Sequence, residues 1–269
     1  MVAREHTGAV WIGTSGWNYR HWVEVFYPRG LRQKDWFDHY AQHFATVELN
    51  NTFYRLPRKS TFEGWRRKAP EGFVYAVKGN RFITHIKKLA TPEESLRPFV
   101  ENVVALEDKL GPVLFQFPPG WKWHRERVEP FLEALRTDPR TRGWRIAFEI
   151  RNAAWYTDEA FELLRRFNVA LCFADWPDLK VQKPLTSNEF VYVRRHGPGA
   201  LYASGYTEEQ IQRDARDVVQ WAAEGLDVFV YYNNDAGGWA VRDAKALMNA
   251  VETLGCQTVR KPTRTNQSG

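Results

Sequence analysis

Eight short apolar segments alternate with seven longer amphipathic segments along the 269-residue chain. The apolar segments have the length and residue types of β-strands, and they occupy residues 10–14, 46–50, 73–78, 113–117, 145–151, 170–174, 190–195 and 227–232. Apolar residues at helical spacing predict helices over residues 34–44, 60–69, 92–110, 125–135, 158–167, 208–224 and 240–254. Such alternation is typical of parallel strands joined by helical crossovers.

The predicted fold class is therefore α/β, as a single parallel (β/α)8 TIM-like barrel, which typically needs about 250 residues. The sixth crossover is irregular, because residues 180–188 are too few and too interrupted by proline for a good helix. An open doubly wound sheet is the alternative. No Gly-x-Gly-x-x-Gly sequence follows a predicted strand, which weakens the nucleotide-binding version of that alternative.

We find no internal repeat or linker, and we predict one domain over residues 1–259. Half of the net charge of +6 lies on residues 260–269, which we predict to form a flexible basic tail. Cys172 and Cys256 indicate reduced thiols rather than a disulfide framework. Without a signal peptide or an apolar run of 18 residues, we expect a cytoplasmic protein that does not enter a membrane.

Polar residues end the predicted strands on one face. Because alternate side chains of a strand share a face, Glu149 and Arg151 of the fifth strand point the same way. In the sixth strand the predicted inward face carries Leu171, Phe173 and Asp175. The corresponding polar residues of the other strands are Glu48, Asn50, Lys78, Gln116, Arg194, His196 and Asn233. In a closed barrel these residues ring the C-terminal mouth, where β/α-barrel enzymes place their active sites.

Nine aromatic residues lie in predicted loops that follow strands. They are Trp17, Trp22, Phe53, Tyr54, Trp121, Trp123, Trp155, Trp176 and Trp239. Together they favour a cleft lined by flat rings, which suits sugars or nucleobases. Among the charged residues of the mouth, cations outnumber anions. The planar guanidinium of arginine can donate two parallel hydrogen bonds to a carboxylate or a phosphate.

Several short motifs are distinctive in combination. They are Gly13-Thr14-Ser15-Gly16-Trp17 with Tyr19, Glu48-Leu49-Asn50-Asn51-Thr52-Phe53-Tyr54, Lys78, Gln116-Phe117-Pro118-Pro119, Glu149-Ile150-Arg151 with Trp155, Arg194 with His196-Gly197, and Tyr232-Asn233-Asn234. In these motifs the chain resembles the YecE-like family over nearly its whole length. The resemblance implies a TIM-like barrel and no established reaction.

The first functional hypothesis is an enzyme of the hydrolase or isomerase type. Its substrate would be anionic or phosphorylated and sugar-like or nucleotide-like. Glu48 and Glu149 are the acid/base candidates, and His196 is a candidate proton shuttle. An ion pair with Arg151 would keep Glu149 ionised, so Glu48 ranks level with it. The residues expected to bind substrate are Tyr19, Asn50, Phe53, Tyr54, Lys78, Gln116, Arg151, Trp155, Asp175, Arg194, Asn233 and Asn234.

Two other functions would use the same mouth. A nucleic-acid-binding protein or nuclease is favoured by the basic balance, the aromatic loops and the basic tail. A noncatalytic sensor of small molecules is the third hypothesis. Glu48, Glu149, Asp175 and His196 are also suitable ligands for a divalent metal, although no recognisable ligand spacing is present and nearby cations would compete. No other cofactor is predicted, and the sequence leaves the oligomeric state open.

Overall fold

The computed structural model describes residues 7–177, 179 and 183–260. Most of the predicted basic tail and part of the sixth crossover therefore lie outside the described residues. Cys172 and Cys256 are both buried free thiols. None of the helices in the described part of the chain is long and apolar enough to cross a membrane.

Parallel strands form the centre of the molecule. They are β1 (Val10–Thr14), β2 (Thr46–Leu49), β3 (Val74–Lys78), β4 (Leu110–Gln116), β5 (Ile146–Glu149), β6 (Val169–Leu171), β7 (Phe173–Ala174), β8 (Phe190–Arg195) and β9 (Asp227–Tyr232). One sheet has the order β2-β3-β4-β5-β6, and the other has the order β1-β9-β8-β7. The predicted sixth strand is thus divided at Cys172 into β6 and β7, which belong to different sheets.

The two sheets adjoin at two seams and enclose a common interior. At one seam, Ser15 and Glu48 form a single parallel bridge, and the amide of Gly16 donates to the Glu48 carbonyl at 2.9 Å. Close approach here requires Gly13, because a Cβ at this position would stand 2.4 Å from the Thr46 carbonyl oxygen. At the other seam the chain itself passes from β6 to β7. Within the described residues the ladders do not run continuously around the barrel, but the α/β fold and parallel order agree with the prediction.

Helices follow most strands. They are α1 (Trp36–His43), α2 (Asn51–Tyr54), α3 (Lys59–Lys68), α4 (Pro92–Val103), α5 (Arg125–Thr137), α6 (Asp158–Arg166), α7 (Glu208–Ala223) and α8 (Trp239–Thr253). The described residues between β7 and β8 contain no helix, as the irregular sixth crossover predicted. Helix α4 is shorter than the helix predicted over residues 92–110. The chain continues after Val103 as a 3-10 helix, in which Glu107 has a left-handed backbone conformation at φ 48°.

The sequence predicts helix N-caps at Ser60, Thr91, Thr157 and Thr207, the first with Glu63 and the second with Glu94 three residues later, and two of these four predictions are confirmed. Thr157 accepts a hydrogen bond from the Ala160 amide, and Thr207 forms a complete capping box with Gln210. The other two predictions are wrong. Ser60 lies inside α3. Thr91 precedes α4 in a left-handed conformation, at φ 47°, without a side-chain cap.

Small, aromatic and aliphatic side chains fill the barrel interior. They are Ala76, Leu114, Ala147, Ala170, Cys172, Ala174, Phe190, Tyr192, Phe229 and Tyr231. In the predicted sixth strand, which forms β6 and β7, the inward residues are therefore Ala170, Cys172 and Ala174. The predicted inward set of Leu171, Phe173 and Asp175 is wrong by one residue. Leu171 belongs to the apolar layer between strands and helices, and Phe173 packs on that layer. A one-residue shift reverses the faces of a strand.

Candidate functional site

A buried arginine joins two carboxylates at the C-terminal ends of the strands. Arg194 projects inward from β8 and donates from Nε and Nη2 to the two carboxylate oxygens of Glu48, at 3.0 and 2.8 Å. Its Nη1 donates to Glu149 Oε2 at 2.5 Å. All three side chains are completely buried. One guanidinium thus pairs with two acids from other strands, β2 and β5, across the interior.

Glu48 has further donors on both oxygens. Ser15 Oγ donates to Oε1 at 2.5 Å, and the Tyr192 hydroxyl donates to Oε2 at 2.7 Å. Burial acts to raise the pKa of Glu48, but the charge and hydrogen bonds of Arg194 outweigh it and lower the pKa below its usual value. Glu48 is therefore an ionised carboxylate, and both of its oxygens already accept hydrogen bonds. Because it carries no proton to donate, it is a poor general acid.

Glu149 forms the ion pair with Arg151 that its sequence position suggested. Arg151 Nε and Nη2 lie 2.7 and 2.6 Å from Glu149 Oε1. Burial acts to raise the pKa of Glu149, but the charges of Arg151 and Arg194 hold it well below its usual value. This carboxylate also remains ionised, so it fixes the two arginines rather than supplying a proton.

His196 lies beneath the mouth and is completely buried. Asn233 Nδ2 lies 3.1 Å from His196 Nδ1, and His196 Nε2 lies 3.4 Å from both Glu149 Oε1 and Arg194 Nη1. Burial lowers the pKa of His196, although Glu149 opposes this effect. Both ring nitrogens are engaged within the network, which does not favour the predicted proton shuttle.

A cavity of about 460 Å³ opens above this network. Its lining residues are Asn50, Phe53, Tyr54, Lys78, Arg81, His85, Gln116, Pro118, Pro119, Arg151, Tyr202, Asn233 and Asp235. Seven of them were predicted to bind substrate, which are Asn50, Phe53, Tyr54, Lys78, Gln116, Arg151 and Asn233. The cavity volume suits a small metabolite.

Lys78 is the least conventional of the lining residues. Its side chain is 5% exposed at the end of β3, and Nζ lies 4.2 Å from the centre of the Phe53 ring. Burial, followed by the charge of Arg194, lowers the pKa of Lys78 to about 7. Beside it, the Asn50 amide oxygen is buried without a hydrogen-bond partner among the described residues. Both groups are therefore available to a ligand.

Besides Arg194, which belongs to the buried network, four other residues that were predicted to bind substrate lie outside the cavity lining. The Tyr19 hydroxyl donates to the Ser15 carbonyl at 2.6 Å. Asp175 follows β7, in the predicted sixth strand whose two faces were misassigned. It accepts hydrogen bonds from the His196 amide at 2.7 Å and from the Tyr206 hydroxyl. Asn234 Nδ2 donates to Asp243 Oδ2 at 2.7 Å. These side chains brace the loops around the mouth.

The fourth such residue is Trp155, and it illustrates the placement of the loop aromatics. Its ring is completely buried, donates from Nε1 to the Trp121 carbonyl at 3.0 Å and stacks on Phe117 at 4.9 Å. Of the nine aromatic loop residues, only Phe53 and Tyr54 are among the described lining residues. The predicted cleft of many rings is therefore wrong, since most of the rings pack against one another beneath the loops.

The sequence predictions missed several lining residues. Arg81 and His85 follow β3, Tyr202 follows β8 and Asp235 follows β9. Burial, followed by the charge of Lys78, lowers the pKa of His85 to about 4, so its ring is neutral near pH 7. These residues could have been predicted from their position in loops that follow strands, because every such loop of a β/α barrel faces the mouth.

The metal hypothesis has little support in this arrangement. The described residues contain no group of three or more His, Cys, Asp and Glu side chains that could hold a metal ion. The proposed ligands are engaged elsewhere, because arginines occupy Glu48 and Glu149 and a backbone amide occupies Asp175.

A family model described as "Protein of unknown function DUF72" matches residues 11–267. The chain belongs to this family. The resemblance predicted from the motifs is confirmed, since YecE of Escherichia coli, described as a UPF0759 protein, is 27% identical over 109 residues. That match covers 40% of this chain and 38% of YecE.

Other DUF72 relatives match over greater lengths. The UPF0759 protein YunF of Bacillus subtilis is 24% identical over 282 residues, which cover 90% of this chain and 95% of YunF. The crystal structure of a DUF72 family protein from Thermotoga maritima is 30% identical, with a TM-score of 0.79 over 91% of this chain and 99% of that chain. The similarity in sequence and structure thus extends across the barrel.

Proposed function

We propose that this protein is an enzyme that acts on a small anionic, sugar-like or nucleotide-like substrate, with the anionic group being a phosphate. The observation that carries the proposal is the charge of the cavity lining. Lys78, Arg81 and Arg151 face a single lining carboxylate, Asp235, among the described residues. Below the lining, Glu48 and Glu149 share the charge of Arg194, and Glu149 also pairs with Arg151, so the mouth as a whole keeps a small excess of positive charge.

Arg151 is prepared for this role by its contacts. Glu149 holds its Nε and one terminal nitrogen on one side, and its guanidinium carbon lies 3.8 Å from the centre of the Trp176 ring. The side chain is 10% exposed. A guanidinium fixed by an acid and an aromatic ring loses little conformational freedom when its free edge binds an anion.

The remaining lining suits a sugar or a base. Tyr54 and Tyr202 are 69% and 37% exposed, and each offers a ring for stacking. Asn50 and Gln116 add neutral hydrogen-bonding groups. This combination of fixed cations, amides and rings supports the predicted substrate class over a simple inorganic anion.

Calorimetric titration with matched ligand pairs tests the proposal. Ribose 5-phosphate should bind and ribose should not, and AMP should bind more tightly than adenosine. Arg81→Met should weaken phosphate-dependent binding about tenfold or more, because it removes a charged hydrogen-bond donor. Arg165→Met is the matched control, since Arg165 is exposed near the end of α6, at the opposite end of the barrel.

Equal binding of phosphorylated and unphosphorylated ligands would contradict the proposal. Equal losses in the Arg81 and Arg165 variants would also do so, since they would indicate a general charge effect. Phosphorus NMR of any binding ligand over hours then separates an enzyme from a noncatalytic sensor. An enzyme consumes the ligand, whereas a sensor leaves its spectrum unchanged.

The exposed tyrosines also favour a second candidate function, which is binding of a single-stranded nucleic acid. Successive bases would stack on Tyr54 and Tyr202 while the cations contact the backbone. A single-stranded oligonucleotide should then bind far more tightly than AMP, with an affinity that falls steeply as salt increases. Equal affinity for AMP and the oligonucleotide would assign the cavity to a mononucleotide-sized ligand.

A further inference from the structure

Lys78 lacks the ion pair that a buried ammonium normally requires. Within the described residues, no carboxylate oxygen lies within 4.0 Å of its Nζ. Glu48 and Glu149 are the nearby acids, but they bind Arg194 and Arg151 instead. A structural lysine at this depth would be paired, because burying an unpaired charge is costly.

The surroundings of Lys78 favour the neutral amine. The Phe53 ring lies on one side of Nζ, and the charges of Arg194 and Arg151 oppose protonation, while those of Glu149 and Glu48 partly compensate. Its pKa of about 7 leaves about half of the side chain unprotonated at neutral pH, whereas an exposed lysine is almost fully protonated. Desolvation beside other cations is the arrangement that activates lysine as a nucleophile.

We propose that Lys78 is a catalytic nucleophile that forms an imine with the carbonyl carbon of a phosphorylated aldehyde or ketone. The inference rests on the anionic-substrate function above and narrows it to substrates with a reactive carbonyl group. Lys78 lies in the same cavity as Arg81 and Arg151. The arginines therefore hold the phosphate while the amine meets the carbonyl.

The reaction needs no oxidant or metal. The unprotonated Nζ attacks the carbonyl carbon, a C–N bond forms, and the π electron pair moves to oxygen. A proton passes from nitrogen to that oxygen to give the carbinolamine. The C–O bond then breaks, the oxygen leaves as water after taking up a second proton, and the nitrogen lone pair forms the C=N bond. The protonated imine withdraws electrons from the adjacent carbon, which is the basis of lysine-dependent carbonyl chemistry.

Reductive trapping tests the proposal. The protein is incubated at pH 7 with glyceraldehyde 3-phosphate and sodium cyanoborohydride, and the modified residue is identified by peptide mass spectrometry. Lys78 should be modified at least about tenfold faster than any other lysine, because its neutral fraction is much larger. Lys109, which is partly buried and donates to the Pro70 carbonyl at 3.1 Å, is the internal control.

Two variants separate reactivity from folding. Lys78→Arg retains a cation, and Lys78→Met removes it, so at least one should retain the thermal transition of the fold. Either folded variant should lose the dominant adduct while its surface lysines react as before. Modification spread over surface lysines, with Lys78 unmodified, would overturn the proposal.

The same experiment distinguishes the inference from the function on which it rests. If ribose 5-phosphate binds in calorimetry but no Lys78 adduct forms, imine formation is wrong and the anion site stands. If unphosphorylated glyceraldehyde labels Lys78 as fast as its phosphate does, the nucleophile stands and the phosphate site is wrong. Failure of both binding and labelling contradicts both.

Discussion

Arg194 Nη1 lies 2.5 Å from Glu149 Oε2, and neither side chain is exposed to solvent. The same guanidinium binds Glu48 through its other two nitrogens. The acids that sequence reasoning placed first for catalysis are thus parts of a buried ionic network. Chemistry at the mouth is left to the groups above that network.

Removal of Arg194 should be strongly destabilising. Arg194→Met leaves two buried carboxylates without their shared cation, and we expect a loss of about 3–5 kcal/mol in the free energy of unfolding. Urea denaturation measures this loss. Arg140→Met is the control, because its pair with Asp138 is half exposed and should contribute about 1 kcal/mol or less. Similar small losses in both variants would mean that the network contributes little to folding.

Stability should also fall in acid through these carboxylates. The pKa values of Glu48 and Glu149 are lower in the folded protein than in the unfolded chain. Their contribution is therefore fully present above the unfolded pKa of about 4.3, and it is lost as the pH falls through the folded values. Glu149→Gln should be less stable than the wild type at pH 7, with a smaller further loss between pH 5 and pH 3.

The control for the acid titration is Glu133→Gln, since Glu133 is exposed on α5. Its unfolding curves should follow those of the wild type at every pH. If Glu149→Gln also follows the wild-type curve from pH 7 to pH 3, Glu149 does not have the depressed pKa described above.

Lys78 should have the opposite dependence on pH. Its folded pKa of about 7 lies below that of an unfolded lysine, so the fold bears the full cost of the charged amine below pH 7. That cost declines as the pH rises from 7 towards about 10.4. Lys78→Met should therefore be more stable than the wild type at pH 6, by a few kcal/mol, and the difference should shrink at pH 10.

Thermal unfolding at both pH values measures this effect, with Lys34→Met as an exposed control. A Lys78→Met variant that is destabilised equally at pH 6 and pH 10 would indicate that Lys78 is a paired structural cation. Such a result would also weaken the case for its nucleophilic role.

The seam between β1 and β2 predicts a strict requirement at Gly13. Gly13→Ala places Cβ 2.4 Å from the Thr46 carbonyl oxygen and should cost about 1–3 kcal/mol or more, because the strands must separate. Gly120→Ala is the matched control, since no atom lies within 4 Å of the added Cβ. Differential scanning calorimetry of the two variants should show a lower Tm for Gly13→Ala alone, and equal Tm values would contradict the described packing.

The fold could be predicted because the sequence pattern is repeated around the barrel. The alternation of side-chain direction identified the inward faces of β5, β8 and β9. On each of these faces, a polar residue follows the last apolar residue at the end of the strand. The alternation failed at the predicted sixth strand, now β6 and β7. There Leu171 and Phe173 on one face are as apolar as Ala170 and Cys172 on the other. When both faces of a strand are buried, hydrophobicity alone does not assign them.

The site was less predictable than the fold. Strand parity identified Glu48, Glu149 and Arg194, but it could not show that one arginine bridges both acids. That relationship depends on side chains from β2, β5 and β8 meeting across the interior. Loop residues such as Arg81 and His85 follow no periodic pattern, and the tryptophans could not be assigned to the cavity or to packing from their positions.

The location of a bound phosphate tests the central claim most directly. We would determine the crystal structure of the protein soaked with ribose 5-phosphate. The predicted result places the phosphate within hydrogen-bond distance of Arg81 and Arg151, with Glu48 and Glu149 still bound to Arg194. A phosphate bound elsewhere on the molecule, with this cavity holding only water, would contradict the account.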